Sequence, residues 1–111
     1  MMMKKKLLLL LFFYNFCLSQ TFNGTGGIIT DNQHVIEFSI NVNGLSQNTL
    51  NSSFGLTQVC LNITHTWNSD LNVWLVSPDG TLSNLFSGIG GDSDNFTNTC
   101  FSQSATTSIV S

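Results

Sequence analysis

The feature that most limits the fold is a pair of apolar runs, residues 58–66 and 71–76, joined by a short acidic turn. Residues 58–66 alternate between apolar and polar side chains, which is the period of a strand with one buried face. Residues 71–76 are apolar on both faces except at Asn72, which favours a more central strand. The Pro-Asp-Gly sequence at 78–80 predicts a tight turn, and residues 81–86 would then return as the second strand of a hairpin. The inward side chains of the first strand would be Val59, Leu61, Ile63 and His65.

A third alternating segment, residues 35–42, predicts another half-buried strand. No segment shows helical periodicity over three turns. Short strands joined by turns rich in Asn, Ser, Thr and Gly are typical of all-β proteins, so the sequence predicts an antiparallel β-sandwich. The inward side chains of the third segment would be Ile36, Phe38, Ile40 and Val42.

The first 19 residues have the composition of a signal peptide. Its parts are lysines at 4–6, an apolar run at 7–13 and a small-residue cleavage site at 17–19. A membrane anchor is the alternative, but it needs about 20 apolar residues, and this run breaks at Asn15. Cys17 could also be a lipoprotein cysteine, but the bulky phenylalanine before it argues against that processing. We therefore predict cleavage after Ser19 and secretion of residues 20–111.

Removing this leader leaves a chain without cationic side chains. The sequence has three Lys and Arg residues in all, and they are the lysines of the leader, so the formal charge moves from −3 to −6. Such a surface cannot neutralise phosphates, which disfavours nucleic acid and anionic membranes as partners. A cation is the natural counter-charge for a cluster of acids, although an acidic surface also keeps a secreted domain soluble. The acids are Asp31, Glu37, Asp70, Asp79, Asp92 and Asp94.

The central part of the chain resembles the P domain, also called the P/Homo B domain. The resemblance is carried by His-Thr-Trp at 65–67, Asp-Leu at 70–71 and Ser-Pro-Asp-Gly-Thr at 77–81. In that family the domain lies C-terminal to the catalytic domain of subtilisin-like proprotein convertases, and it also occurs in bacterial secreted proteins, whose variant this chain resembles. The resemblance implies a jelly-roll β-sandwich of the galactose-binding-domain-like type over residues 20–111. Because the family usually continues through further strands, we expect this domain to be partial and to lack its closing strands.

Two cysteines follow the leader, Cys60 in a predicted strand and Cys100 after an acidic loop. In an oxidising compartment such a pair predicts a disulfide, which would stabilise the fold by about 3 to 4 kcal/mol. Two separately buried thiols are the alternative. A zinc site is disfavoured because no C-x-x-C sequence or adjacent histidine completes it.

The Gly-rich segment 88–97 is the best candidate site. Two carboxylates and an amide at 92–95 suit Ca²⁺, which takes about six to eight oxygen ligands. The P-domain resemblance adds that calcium is commonly bound in this family, although Asx residues in such loops are also ordinary turn formers. One departure is that Ser and Gln stand at 102–103, where the family often has an acidic pair. The predicted calcium ligands are Asp70, Asp92, Asp94 and Asn95.

Catalysis by this chain is not indicated. His34 and His65 are its two histidines, and no nucleophile motif of the subtilisin family accompanies them. His65 continues a strand pattern, so we expect a hydrogen-bonded core or turn histidine there. We therefore predict no catalytic residue.

The leading functional prediction is a secreted, non-catalytic P domain that stabilises or assists a linked or adjacent subtilisin-like serine endopeptidase. The alternative is a carbohydrate- or peptide-binding module, in which Trp67 and Trp74 would stack on a ligand beside Asp70. A protease in its own right would need catalytic residues outside this chain.

Overall fold

A computed structural model describes residues 19–109, so the predicted signal peptide, apart from Ser19, lies outside the described residues. The chain divides into two compact units, of which the first ends at Ser46 and the second begins at Gln47. Within residues 19–109, no helix has the length and apolar character needed to cross a bilayer.

The first unit contains no strand in its described part, residues 19–46, so the prediction of a strand at 35–42 is wrong. The inward face predicted for it is wrong as well, because Phe38, Ile40 and Val42 are exposed and only Ile36 is half-buried. Three contacts instead align two segments antiparallel: Gln20 Nε2 donates to Gly44 O over 3.5 Å, and two glycines pack on apolar side chains. A Cβ added to Gly24 would lie 2.6 Å from Ile40 Cγ1, and a Cβ added to Gly27 would lie 2.9 Å from Phe38 Cε1. No backbone hydrogen bond joins the segments among residues 19–46, which is why they do not form a ladder.

Over its described residues, 47–109, the second unit is all-β, as predicted, with antiparallel strands and one short 3₁₀ turn, η1, at Asn68–Asp70. Strand β1 pairs with β4, and β2 pairs with β3, which makes two small two-stranded sheets. The strands are β1 Val59–Ile63, β2 Asn72–Val76, β3 Leu82–Ser87 and β4 Phe96–Phe101.

The β2–β3 hairpin confirms the turn chemistry read from the sequence. Ser77 N donates to Thr81 O over 3.0 Å, and Gly80, at a φ of 86°, donates to Ser77 O over 2.9 Å. Only the central position of β2 is wrong: among the described residues β2 pairs with β3 alone, and Trp74 and Val76 on its second face are exposed. Strand β3 contains a β-bulge, because one extra residue lies between Phe86 and Asn84, the partners of Val73 and Trp74.

The β1–β4 pair carries the disulfide. Cys60 and Cys100 are directly opposed in the register and are bonded to each other, with Cα atoms 4.0 Å apart and 40 residues between them in sequence. Both cysteines lie on the exposed side of this pair. The predicted disulfide is therefore present, and it links the first strand of the unit to the last.

The core of the second unit is small and aromatic. Leu71, Phe86 and Phe96 are buried, and the ring centroid of Phe86 lies 4.5 Å from that of Phe96 and 5.8 Å from that of Phe101. The inward face predicted for β1 is confirmed, since Val59, Leu61, Ile63 and His65 are each half-buried while the residues between them are exposed. The partly buried side chains that pack around the three buried ones are Leu61, Ile63, Val73, Leu85, Ile89, Phe101 and Ile109.

Candidate functional site

Two loops of the second unit lie side by side and are held by backbone hydrogen bonds. One, residues 64–71, joins β1 to β2 through η1, and the other, residues 88–95, joins β3 to β4. Asn68 N donates to Ser93 O over 3.0 Å, and Ser69 N donates to Gly91 O over 3.1 Å. The 3₁₀ turn therefore directs its N–H groups into the Gly-rich loop and fixes the path of that loop.

Asn68 is at the centre of this arrangement. Only 4% of its surface is exposed, and its Nδ2 donates to Asn95 O over 3.0 Å. Its Oδ1 is also buried and accepts no hydrogen bond within the described residues. A buried amide oxygen without a partner is costly, because its hydration has been lost without replacement.

Gly90 makes the close approach of the two loops possible. It is buried, its φ is 95°, and a Cβ added to it would lie 2.7 Å from Asn68 Cβ. Any other residue would meet both a steric clash and a disfavoured backbone conformation. Neither Asn68 nor Gly90 stood out in the sequence, where each looks like an ordinary turn residue.

Asn95 connects the Gly-rich loop to the end of β1. Its Oδ1 accepts a hydrogen bond from His65 N over 3.0 Å, and its own N–H donates to His65 O over 2.9 Å. Its φ is 64°, in the left-handed region that asparagine tolerates better than most residues. Part of the ligand capacity predicted for its amide oxygen is thus already used by the backbone.

The predicted carboxylate ligands lie in these two neighbouring loops. Asp70 ends η1, while Asp92 and Asp94 lie in the Gly-rich loop, and all three are exposed. The residues that precede Asp70 and Asp92 are hydrogen-bonded to each other. Over residues 19–109, however, no three Asp, Glu, His or Cys side chains are grouped closely enough to hold a metal ion. A cation here would need main-chain and amide oxygens beside any carboxylate.

The second unit matches a known family. The model of the proprotein convertase P-domain aligns with residues 55–109, a stretch that includes all four strands, the disulfide and both loops. This chain belongs, through those residues, to the P-domain family. The motif that carried the resemblance in the sequence thus runs from the end of β1 to the turn of the hairpin.

A curated relative matches part of this chain. Leupeptin-inactivating enzyme 1 of Streptomyces exfoliatus is 51% identical over 43 residues, which are 39% of this chain and 10% of the relative. The chain therefore aligns with about a tenth of that protein's length. No solved structure matches the chain.

His65 has a structural position in this P domain. Its Nδ1 lies 3.1 Å from Trp67 N and 2.8 Å from the Trp67 carbonyl oxygen, so it accepts from the first or donates to the second according to the tautomer of the imidazole. The imidazole therefore holds the turn that leads from β1 into η1. This is the turn histidine expected from the strand pattern.

The two tryptophans of the P domain lie on different elements. Trp67 precedes η1 in the loop after β1, and Trp74 is in the middle of β2. They have similar exposure, 51% and 46%, which is high for indole side chains. Asp70 follows Trp67 in the same turn, whereas Trp74 faces Asn84 of β3 in the strand register.

Asp79 is held in the hairpin turn. The Ser77 hydroxyl and then the Thr81 backbone N–H donate to its carboxylate, and together they lower the pKa of Asp79 from its ordinary value of 3.8 to about 2. Because both donors favour the charged form, the ionised carboxylate of Asp79 stabilises the hairpin turn.

Proposed function

We propose that this chain is a secreted, non-catalytic P domain that stabilises a linked or adjacent subtilisin-like serine endopeptidase. The observation that carries the proposal is the family match over residues 55–109, since proprotein convertases give the family its name. The position of His65 supports a non-catalytic role, because its Nδ1 is engaged by the backbone of its own turn. The similarity to an enzyme of Streptomyces supports a place beside enzymatic domains.

Secretion and domain extent belong to the same proposal. A signal peptide at 1–19 would deliver the chain to an oxidising compartment, and the Cys60–Cys100 disulfide agrees with such a destination. The P domain would extend over residues 20–111.

We also infer a jelly-roll β-sandwich as the complete architecture. Its support is the strand order: β1 pairs with β4, and the β2–β3 hairpin lies between them in sequence. This nesting of one antiparallel pair inside another is the connection found in Greek-key sandwiches. An experimental structure of the secreted protein would test it, and two sheets that do not face each other would contradict it.

A calcium site in the Gly-rich loop is a further part of the proposal. The buried, unpaired Oδ1 of Asn68 supports it, because that oxygen lies between two loops that carry three exposed carboxylates and no cation. The ion would bind to oxygens of Asp70, Asp92, Asp94 and Asn95, and Asn68 Oδ1 and carbonyl oxygens of the loop would complete its ligand set.

Thermal unfolding of the full chain with and without millimolar Ca²⁺ tests this site. Binding to the folded state stabilises it by about 2.7 kcal/mol at a hundredfold excess over Kd, so the melting temperature should rise. Asp94→Asn should abolish the rise, while Asp31→Asn in the first unit should leave it unchanged. Equal melting temperatures in both buffers for the folded protein would leave Asp92 and Asp94 as turn residues.

The accessory role is tested on the protein from its native source. An antibody to residues 55–109 should recover a subtilisin-like endopeptidase in the same polypeptide or in a complex, identified by mass spectrometry. Phe86→Ala should shorten the thermal half-life of that endopeptidase, and the exposed Phe38→Ala should not. The chain alone should cleave no serine-protease substrate. Recovery without an endopeptidase, or equal half-lives for both variants, would contradict the role.

A further inference from the structure

The outer face of the β2–β3 hairpin carries an exposed aromatic and aliphatic surface. Alternation along β2 places Val73 and Leu75 toward the core and leaves Asn72, Trp74 and Val76 on the opposite face. Their partners in the register lie beside them on that face. We call this surface the hairpin face, and its residues are Asn72, Trp74, Val76, Leu82, Asn84 and Ser87.

The hairpin face changes in polarity from one end to the other. Val76 and Leu82 form an apolar pair next to the turn, Asn72 and Ser87 form a polar pair at the far end, and Trp74 lies opposite Asn84 between them. All six side chains are exposed. The indole and the Val76–Leu82 pair are neighbours on this face, and a contiguous exposed apolar patch is the kind of surface that marks an interaction site.

One hydrogen bond joins two side chains in the polar half of this face. Asn84 Nδ2 donates to Ser87 Oγ over 2.8 Å, a bond that fixes the amide plane beside the indole. Within the described residues no hydrogen bond uses the Oδ1 of Asn84 or either polar atom of the Asn72 amide. The face therefore offers an apolar surface with one oriented amide beside it and free polar atoms at its edge, and little rotamer freedom of Asn84 would be lost on binding.

The charge of the face limits what can bind to it. None of its six residues is ionisable, and the chain after residue 19 has six acids and no Lys or Arg. The negative field of the whole chain repels anionic ligands, and nothing on the face would pair with a cation. A neutral ligand with one apolar face and many hydroxyl groups is the complementary partner.

We propose that the hairpin face binds neutral carbohydrate, with one sugar ring stacked on Trp74 and its hydroxyl groups hydrogen-bonded to the Asn84, Asn72 and Ser87 side chains. The C–H groups on one side of a pyranose match the indole plane, as apolar groups do on exposed tryptophans elsewhere. A peptide would instead use the unpaired edge of a strand, where main-chain groups give affinity, and the proposed surface is a face and not an edge.

The test uses the full chain with its disulfide intact and a panel of soluble hexasaccharides of glucose, xylose, mannose and N-acetylglucosamine. The chain has two tryptophans, so Trp67→Phe leaves Trp74 as the single indole, and its fluorescence reports occupancy directly. At least one neutral hexasaccharide should shift that emission with saturation. Trp74→Ala should weaken binding about tenfold or more, as aromatic anchors of binding sites do.

The matched control is Trp67→Ala, because Trp67 is as exposed as Trp74 but lies in the loop after β1. It should keep the affinity of the unmodified chain, and Asn84→Ala should lose part of it. Trp74→Tyr retains a ring and should bind better than Trp74→Ala, which separates lost stacking from a damaged fold. Equal loss in both tryptophan variants, no saturable shift with any hexasaccharide, or saturable binding of peptides alone would overturn the proposal.

Discussion

Two segments of this chain have the same alternation of apolar and polar residues, but only one of them is a strand. Apolar and polar residues alternate in residues 35–42 of the first unit and in β1 of the second, but only in β1 is one face of the alternation half-buried. β1 finds a partner in β4, whereas the first-unit segment lies along a glycine-containing segment without a ladder. Alternation therefore marks a candidate strand, but pairing and the burial of one face depend on a neighbour that can supply hydrogen bonds and apolar contacts.

The largest contrast is expected between two phenylalanines, one from each unit. Phe86 is 3% exposed in the core, and Phe38 is 45% exposed in the first unit. Phe86→Ala should lower the free energy of unfolding by about 3 to 5 kcal/mol, because it leaves a cavity between Phe96 and Phe101. Phe38→Ala should cost about 1 kcal/mol or less. Urea unfolding followed by tryptophan fluorescence measures both, and similar costs would mean that the first-unit segment is buried in solution.

Removing the disulfide should have the next largest effect. It closes a loop of 40 residues, so Cys60→Ala should cost about 3 to 4 kcal/mol, mostly through the unfolded state. The double variant with Cys100→Ala should cost no more than the single one, because one bond is lost in each case. A reducing agent should bring the unmodified chain to the same stability. If reduction leaves the urea midpoint unchanged, the bond does not form in the secreted protein.

Gly90→Ala should have the third largest effect and lower the free energy of unfolding by about 2 to 4 kcal/mol. The added methyl group would clash with Asn68, and the backbone φ of Gly90 is positive. The neighbouring Gly91→Ala is the matched control. Its φ is 53°, and nothing lies within 4 Å of its added Cβ, so only the left-handed conformation costs, by about 1 kcal/mol. Thermal unfolding of both variants compares the two costs, and equal values would show that the loops are further apart than described.

The smallest effect concerns pH and the hairpin turn. The pKa of Asp79 in the folded protein is about 2, below its ordinary 3.8, so its contribution to stability is present above pH 4 and is lost as the pH falls toward 2. Asp79→Asn should slightly reduce the change in the free energy of unfolding over this range of pH. Asp31→Asn, in the first unit, should leave that change as it is in the unmodified chain. If the free energy of unfolding depends on acidic pH in the same way for Asp79→Asn and the unmodified chain, the Asp79 carboxylate does not stabilise the turn.

The hairpin and its turn could be predicted because Pro78 and Gly80 impose the local geometry by themselves. The disulfide could be predicted from an even cysteine pair. Strand β4 was not foreseen, because Asn98, at a φ of 48°, interrupts the alternation between Phe96 and Phe101. Asn68 was not foreseen either, since its burial depends on a loop about 20 residues later in the chain, which local pattern does not reveal.

The disulfide also decides what happens when a peptide bond of the second unit is cut. η1, β2, β3 and both loops of the candidate site lie between Cys60 and Cys100 in sequence. A single nick anywhere in that stretch leaves two fragments that remain covalently joined, one through each cysteine. For a module proposed to work beside an endopeptidase, the bond would let the domain survive a cut in its own loops without coming apart.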